Sequence, residues 1–202
     1  MLTLYGSANS RGLRVVWMAA ELGLKYEHRD WLPRSPETKT ADYRALNAGG
    51  RVPTIDDDGF ILSESMAINM YLAKKHKSPL YPSDPKLEAL CWQWSRWETD
   101  LLDRQIVDYV RHTVALPAAE RKPAVAEKAW LEVAPAFDVL DAALGKSPWL
   151  AGPAFSVADL NVASALYRAL SIDTSKWANL HAWLMRCWER PAARHARALR
   201  EK

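Results

Sequence analysis

Little in this chain can cross-link, chelate or span a bilayer. Of its 202 residues only two are cysteine. Cys91 and Cys187 lie far apart and outside any C-x-x-C spacing, which excludes a dithiol redox motif and gives no zinc pattern, so no metal is expected. Both read as helix residues. No stretch reaches the roughly 18 uninterrupted apolar residues of a membrane helix. The opening Met1-Leu2-Thr3-Leu4-Tyr5 has no basic region ahead of an apolar core, so no leader is expected and the reading is a cytoplasmic protein without a membrane partner. Net charge is weak too: 27 Lys and Arg against 24 Asp and Glu leave +3. That is no footprint for nucleic acid, and at most a modest attraction for small anions. Internal repeats and low-complexity tracts are missing. What remains is ample core material, with 49% hydrophobic and 25% charged residues, which fits one or two compact domains.

The pattern changes character part-way along. Leu2 to Tyr5 reads as a strand, after which Leu13, Val16, Trp17 and Ala20 recur at helical spacing until Gly23 stops them. Tyr26 to Trp31 reads as a second strand, and the crossover makes the two strands parallel. Thr54 to Asp56 and Phe60 to Ser63 flank Asp57-Asp58-Gly59, whose glycine accepts positive φ, so they form a hairpin. A helix from Ser65 to Lys75 closes a β-α-β-(loop)-β-β-α order, which is an α/β thioredoxin-like domain over residues 1–77. Residues 78–85 hold three prolines, a linker that neither helix nor sheet runs through. From 86 to 202 the strands stop, and the expectation is an all-helical domain. Leu87, Leu90, Cys91, Trp94, Trp97 and Leu101 keep one helical rhythm. Ala124 to Leu144 carries another, which Pro135 should bend or divide. Ser156-Val157-Ala158-Asp159 reads as an N-terminal cap, with Phe155 and Leu160 placed for a hydrophobic staple. Leu180, Trp183, Leu184 and Trp188 form a further face, and Pro191 opens or separates the last segment.

One stretch points to a ligand. Gly50-Arg51-Val52-Pro53-Thr54-Ile55 enters a strand through a proline, a position that tolerates the missing N–H. Ser63-Glu64-Ser65 then opens a helix, whose free N–H groups can hold a carboxylate. On its own, Ser-Glu-Ser is merely a good helix start.

Taken together, these motifs resemble the soluble glutathione S-transferase family, of a bacterial theta- or beta-like kind. Gly152-Pro153-Ala154-Phe155-Ser156-Val157-Ala158-Asp159 is similar to the family's helix-capping motif. The run from Leu180-His181-Ala182-Trp183-Leu184 to Arg190-Pro191-Ala192 is similar to its penultimate helix. The resemblance covers nearly the whole chain. It implies the glutathione S-transferase fold and attack of the glutathione thiolate on a hydrophobic electrophile. It also implies glutathione as co-substrate and a homodimer.

That chemistry needs a hydrogen-bond donor beside the sulfur, because a thiol with pKa near 8.5 is mostly protonated at neutral pH. By the resemblance Ser10, in Ser10-Arg11-Gly12-Leu13-Arg14, occupies the position of the family's catalytic serine or cysteine. Read from the residues alone, Ser10 is a helix cap. Tyr5 and Asn9 are competing donors, and Tyr5, inside a strand, also suits a pocket wall. The resemblance further implies a cis bond between Val52 and Pro53, with the Val52 backbone pairing the cysteinyl segment as an added strand would. Ser65 would meet the γ-glutamyl carboxylate and Glu64 the ammonium. Arg51, Lys39 and Thr38 are candidates for the glycyl carboxylate. Here the family's usual His, Gln or Lys and Asn-Pro-Gly-type loop give way to Thr38-Lys39 and Asn47-Ala48-Gly49-Gly50. Asp100 is a candidate for reaching across a dimer interface. Tyr109 would wall an electrophile site near Arg104 to His112 and the loop from Ser7 to Ser10. The alternatives are a glutathione-dependent isomerase, dehalogenase or peroxidase, and a non-catalytic binding module of the same fold. Retention of Pro53, Glu64 and Ser65 together disfavours the last.

Overall fold

The computed structural model describes all 202 residues. The chain forms two compact units, Met1–Tyr81 with Glu189–Lys202, and Pro82–Trp188. In the first, β1 (Leu2–Tyr5), β2 (Tyr26–Arg29), β3 (Thr54–Asp57) and β4 (Phe60–Ser63) make a sheet of order β2-β1-β3-β4. β1 and β2 are parallel, while β3 runs antiparallel to both β1 and β4. The crossover is α1 (Gly12–Glu21). It ends where Gly23 takes φ +61, a left-handed conformation that glycine adopts without a Cβ penalty. The hairpin turns on Asp58 and Gly59, both at positive φ, with Asp56 Oδ1 accepting the Gly59 N–H at 2.7 Å. β2 stops at Arg29, two residues short of the expected end, because the Trp31 N–H turns back onto the Arg29 carbonyl at 2.7 Å.

Alternation along β1 separates two faces. Leu2 and Leu4 are buried, as are Leu13, Val16, Trp17 and Met18 of α1 and Ile68 and Leu72 of α3 (Ser65–Lys75). Thr3 and Tyr5 point to the other face, where α2 (Ala41–Leu46) lies and Tyr5 meets Tyr43 at 5.6 Å between ring centroids. β3 is pinned to α3 by buried Asp57, which accepts from Tyr71 Oη at 2.8 Å and pairs with Lys75. Burial pushes the Asp57 carboxyl up, but the Lys75 and Tyr71 hydrogen bonds and the nearby positive charges of Lys75 and His76 outweigh it. The group is held below its ordinary range. A lowered folded-state pKa gives stability that is complete above the unfolded-state value, about 3.9, and is lost as pH falls through the folded value. Lys75→Met therefore lowers the urea midpoint by a constant amount between about pH 6 and 8, and the deficit shrinks as the carboxylate protonates below about pH 4. A deficit as large at pH 3 as at pH 7 would contradict this assignment.

The second unit is helical: α4 (Pro85–Leu101), α5 (Asp103–Val110), α6 (Pro123–Leu144), α7 (Val157–Ala165) and α8 (Ala178–Glu189). α4 opens with proline at its first position, and the Asp84 carboxylate accepts from the Lys86 and Leu87 N–H groups at 2.7 and 3.3 Å. α5 passes into a π turn at Arg111–Ala115. Pro135 does not divide α6, which is helical from Pro123 through Leu144. The residue is exposed, so water can reach the carbonyl that its missing N–H leaves unpaired. α7 has a capping box with Asp in place of Glu or Gln. Ser156 Oγ accepts the Ala158 N–H at 3.2 Å and Asp159 Oδ2 accepts the Ser156 N–H at 2.9 Å. The staple residues Phe155 and Leu160 are both buried.

α9 (Pro191–Arg200) departs from the expected division. Residues 189–202 belong with the first unit, where α9 lies on α1. Its contact face is Ala193 and Ala196, both fully buried, and small residues allow a close approach. Arg190 makes a two-pronged ion pair with Glu21 at 2.6 and 2.7 Å.

Candidate functional site

The turn from β1 into α1 is held from several sides. The Gly6 and Ser7 N–H groups donate to the Arg29 and Trp31 carbonyls at 2.9 and 2.8 Å. Arg200 Nη1 donates to the Ala8 carbonyl at 2.6 Å. Two glycines set how tightly the turn closes. At Gly6, φ +139, a Cβ would stand 3.2 Å from Pro53 Cα, and at Gly12 one would stand 2.5 Å from the Ser7 carbonyl oxygen. The turn therefore lies directly against the Val52–Pro53 peptide, which is cis.

Ser10 sits in this turn, half-buried. Its hydroxyl donates to the Ser7 carbonyl at 2.6 Å and accepts the Gly12 N–H at 2.9 Å. Ser10 thus takes up the first N–H of α1 from one residue ahead of the N-cap position, which is Arg11 and makes no side-chain capping bond. Asn9 is exposed, and its N–H donates to Ser7 Oγ at 3.1 Å. Ser7, 3% exposed, is the hub of the turn, and its carbonyl also receives the Ser10 N–H at 3.0 Å.

On the far side of Pro53, a polar framework fixes the peptide that leads into it. The Arg51 carbonyl accepts from Tyr43 Oη at 2.6 Å and from Asn47 Nδ2 at 3.0 Å. Thr54 Oγ1 lies 2.9 Å from Tyr43 Oη and receives Asn47 Nδ2 at 3.0 Å. Burial pushes the Tyr43 phenol up, against the Thr54 hydrogen bond, so the phenol stays a neutral donor. The Arg51 and Lys39 side chains are exposed. Their segments meet, because Thr38 is buried and its carbonyl oxygen lies 2.8 Å from where a Gly50 Cβ would be.

Ser65 is the first residue of α3 and is 4% exposed. Its Oγ accepts from Arg14 Nη1 at 3.2 Å. Glu64, just before it, is exposed and holds φ 72, ψ 108. A non-glycine residue at positive φ costs about 1–3 kcal/mol and concentrates where a ligand is held.

Tyr5 belongs to an aromatic cluster rather than to the turn. Its ring centroid is 5.2 Å from that of Trp31, and Tyr5, Trp31 and Tyr43 line an open cleft of about 410 Å³. In the second unit Tyr109 rests on Trp130 at 4.6 Å. Asp100 is exposed and paired with Arg96 at 2.7 Å. Among the first-unit candidates, Ser10 and the Val52–Pro53 peptide meet through Gly6, and Ser65 is tied to α1 through Arg14. Sequence reasoning missed Tyr43 and Arg14. Tyr43 follows the helix-capping Thr40 by three residues, and the Thr40 hydroxyl accepts its N–H at 3.3 Å, a signal for the short helix α2 but not for the framework role. Arg14 offered no signal, since an arginine on an amphipathic helix reads as solvated.

Comparison with known proteins gives the family of this fold. Residues 10–75 match the model of the glutathione S-transferase N-terminal domain, and residues 123–186 that of the glutathione S-transferase C-terminal domain. Glutathione S-transferase GstB of Escherichia coli K12 is 32% identical, with 96% of each chain covered. Glutathione S-transferase F14 of Arabidopsis thaliana is 30% identical over 85% of this chain and 73% of its own. Among solved structures, the theta class enzyme of Xanthomonas axonopodis pv. citri with glutathione bound superposes with a TM-score of 0.89. It is 33% identical, with 96% of each chain covered.

Proposed function

The chain belongs to the glutathione S-transferase family and is a glutathione transferase, and from that premise we propose that Ser10 ionises the bound thiol. The observation that carries this is the double bonding of its hydroxyl at the opening of α1. A thiolate beside Ser10 takes the O–H from the Ser7 carbonyl, which keeps the Ser10 N–H as a partner. Exchanging a neutral bond, worth about 0.5–1.5 kcal/mol net, for one to an anion, worth about 1.5–3, favours the thiolate. The Gly12 N–H on Oγ and the α1 terminus reinforce it. Asn9 stands by as a second donor.

In the same reading the Val52 backbone pairs the cysteinyl segment as an added strand, next to Pro53. Ser65 and the α3 opening hold the γ-glutamyl carboxylate, Glu64 meets the ammonium, and Arg51 and Lys39 serve the glycyl carboxylate. The electrophile is a small apolar molecule, with Tyr109 as a candidate wall and Tyr5 left to the aromatic cleft. We read the assembly as a cytoplasmic homodimer serving detoxification, with Asp100 on an exposed face of α4. No helix is long and apolar enough to cross a membrane.

Glu64 offers a direct check. Glu64→Gly relieves the positive φ and leaves the protein as stable as wild type or up to about 1 kcal/mol more so. Glu64→Ala keeps the backbone strain and does not gain. Both raise the dissociation constant for glutathione about tenfold in calorimetric titration, as loss of a charge-assisted contact worth about 1.5 kcal/mol requires. Unchanged affinity in both would remove Glu64 from the site. Conjugation itself is tested with a nitro-activated aryl chloride. Glutathione-dependent turnover supports transfer, and binding without turnover on a panel of such electrophiles would contradict it.

A further inference from the structure

Arg14 is a charged residue inside the fold. Only 3% of it is exposed, and the seven residues around it on α1, from Gly12 to Ala19, are also buried. Its Nη1 reaches Ser65 Oγ, 51 residues away, at 3.2 Å. Its carbonyl receives Nδ2 of Asn69 at 3.2 Å, and Asn69 is fully buried one helical turn after Ser65. α1 and the first turns of α3 are therefore joined by a bond between two side chains and a bond from a side chain to the backbone.

The direction of the Arg14–Ser65 bond carries the argument. A guanidinium has five donors, no acceptor and a charge that does not titrate in the working range of a protein. Ser65 Oγ must therefore accept from it, and a hydroxyl has a single proton. That proton is directed to an acceptor other than Arg14, at a helix terminus where N–H groups already favour an anion. A neutral partner such as glutamine could turn its amide and take the Ser65 proton. An arginine cannot.

From this geometry we infer that Arg14 is a positioning residue for the γ-glutamyl carboxylate, acting through Ser65. It fixes the hydroxyl as a donor toward the ligand and places a permanent positive charge one hydrogen bond behind it. This rests on the assignment of Ser65 to that carboxylate in the proposed function. It adds a specificity device, in which the carboxylate end of the peptide is read by a buried charge that never meets it.

The test compares glutathione with its analogue lacking that carboxylate, 4-aminobutanoyl-cysteinylglycine, in wild type, Arg14→Met, Arg14→Lys and Ser65→Ala. Wild type is expected to prefer glutathione in kcat/KM by about a hundredfold, mostly through KM. In Arg14→Met and Ser65→Ala the preference falls to tenfold or less, because glutathione suffers and the analogue does not. Arg14→Lys, which keeps a buried donor and charge, recovers part of it. If Arg14 merely holds the fold, Arg14→Met lowers both substrates equally and the hundredfold ratio survives, which overturns the inference. Should Arg14→Met fail to fold, the Lys variant and Ser65→Ala decide: a ratio unchanged in both overturns it. A wild-type ratio near one is a different failure, since it removes the carboxylate from Ser65 and with it the reading on which this inference stands.

Discussion

Ser10→Ala lowers kcat about 10- to 100-fold near pH 6.5, with KM for glutathione nearly unchanged, and the deficit closes as pH rises toward 9. The magnitude follows from the exchange of the neutral bond to Ser7 for a charge-assisted one, a gain of about 1–2.5 kcal/mol, which is about one to two units of thiol pKa at 1.36 kcal/mol per unit. The pH dependence is the diagnostic part. Where solvent alone ionises the thiol, above its free value near 8.5, the serine has nothing left to add. A deficit equal at every pH would mean that Ser10 orients the sulfur without ionising it. The variant also loses the acceptor of the Gly12 N–H, so a stability loss of about 1 kcal/mol accompanies it. Thermal melts separate the two effects, because a cap loss of that size leaves the protein folded at assay temperature.

The second large effect is structural and lies at Asp159. This carboxylate is fully buried and accepts from the Leu150 N–H, the Ser156 N–H and Trp183 Nε1, each at 2.9 Å, and from Ser156 Oγ at 3.0 Å. Burial pushes the carboxyl above its ordinary range, and the four donors offset only part of that rise. The Leu150, Ser156 and Trp183 N–H groups can only donate, so they are served by an ionised carboxylate, and the Ser156 hydroxyl is the one partner able to accept a carboxyl hydrogen. Asp159→Ala strands three N–H groups in the interior at about 1–3 kcal/mol each. Allowing for relaxation, the loss is about 4 kcal/mol, a large share of an ordinary stability of 5–15 kcal/mol. At about 2–4 °C per kcal/mol for a chain of this size, Tm falls by roughly 10 °C. Asp159→Asn loses about half as much, since its carbonyl oxygen still serves Leu150 and Trp183 while its amide faces the Ser156 donor. A drop below about 2 °C for Asp159→Ala would mean that water replaces the carboxylate, and that the capping box is not what orders this region.

These sites also mark where sequence reading succeeds. Ser156 and Asp159, Asp58 and Gly59, and Pro191 act over two to four residues, so their local chemistry is written in the chain, whereas Pro85, read as linker, is the first residue of α4. The parallel β1–β2 pair and the β3–β4 hairpin followed from the same kind of signal, a helical crossover and a glycine turn, but the antiparallel β1–β3 pairing that joins them did not. The parts that stayed hidden are long-range. Arg14 lies in a run of eight consecutive buried residues on α1, where no polar stripe survives to separate a buried arginine from a solvated one. Tyr43 and Asn47 act on Arg51 and Thr54 across a turn whose path the periodicity does not give. The placement of α9 depends on two alanines and the Arg190–Glu21 pair, 169 residues apart. Small buried residues carry almost no hydrophobic signal. Ser10 shows both sides: its place at the opening of α1 was legible in the residues, and the thiol-directed role came only from the family resemblance.

The central claim is that this fold lowers the pKa of glutathione through Ser10. The most direct measurement is an ultraviolet difference titration of bound glutathione thiolate across pH, with wild type and Ser10→Ala side by side. The account predicts a bound thiol ionising one to two units or more below the free value near 8.5 in wild type, and a return toward that value in the variant. A bound thiol that titrates at its free value in wild type, or one depressed equally in both proteins, would contradict it.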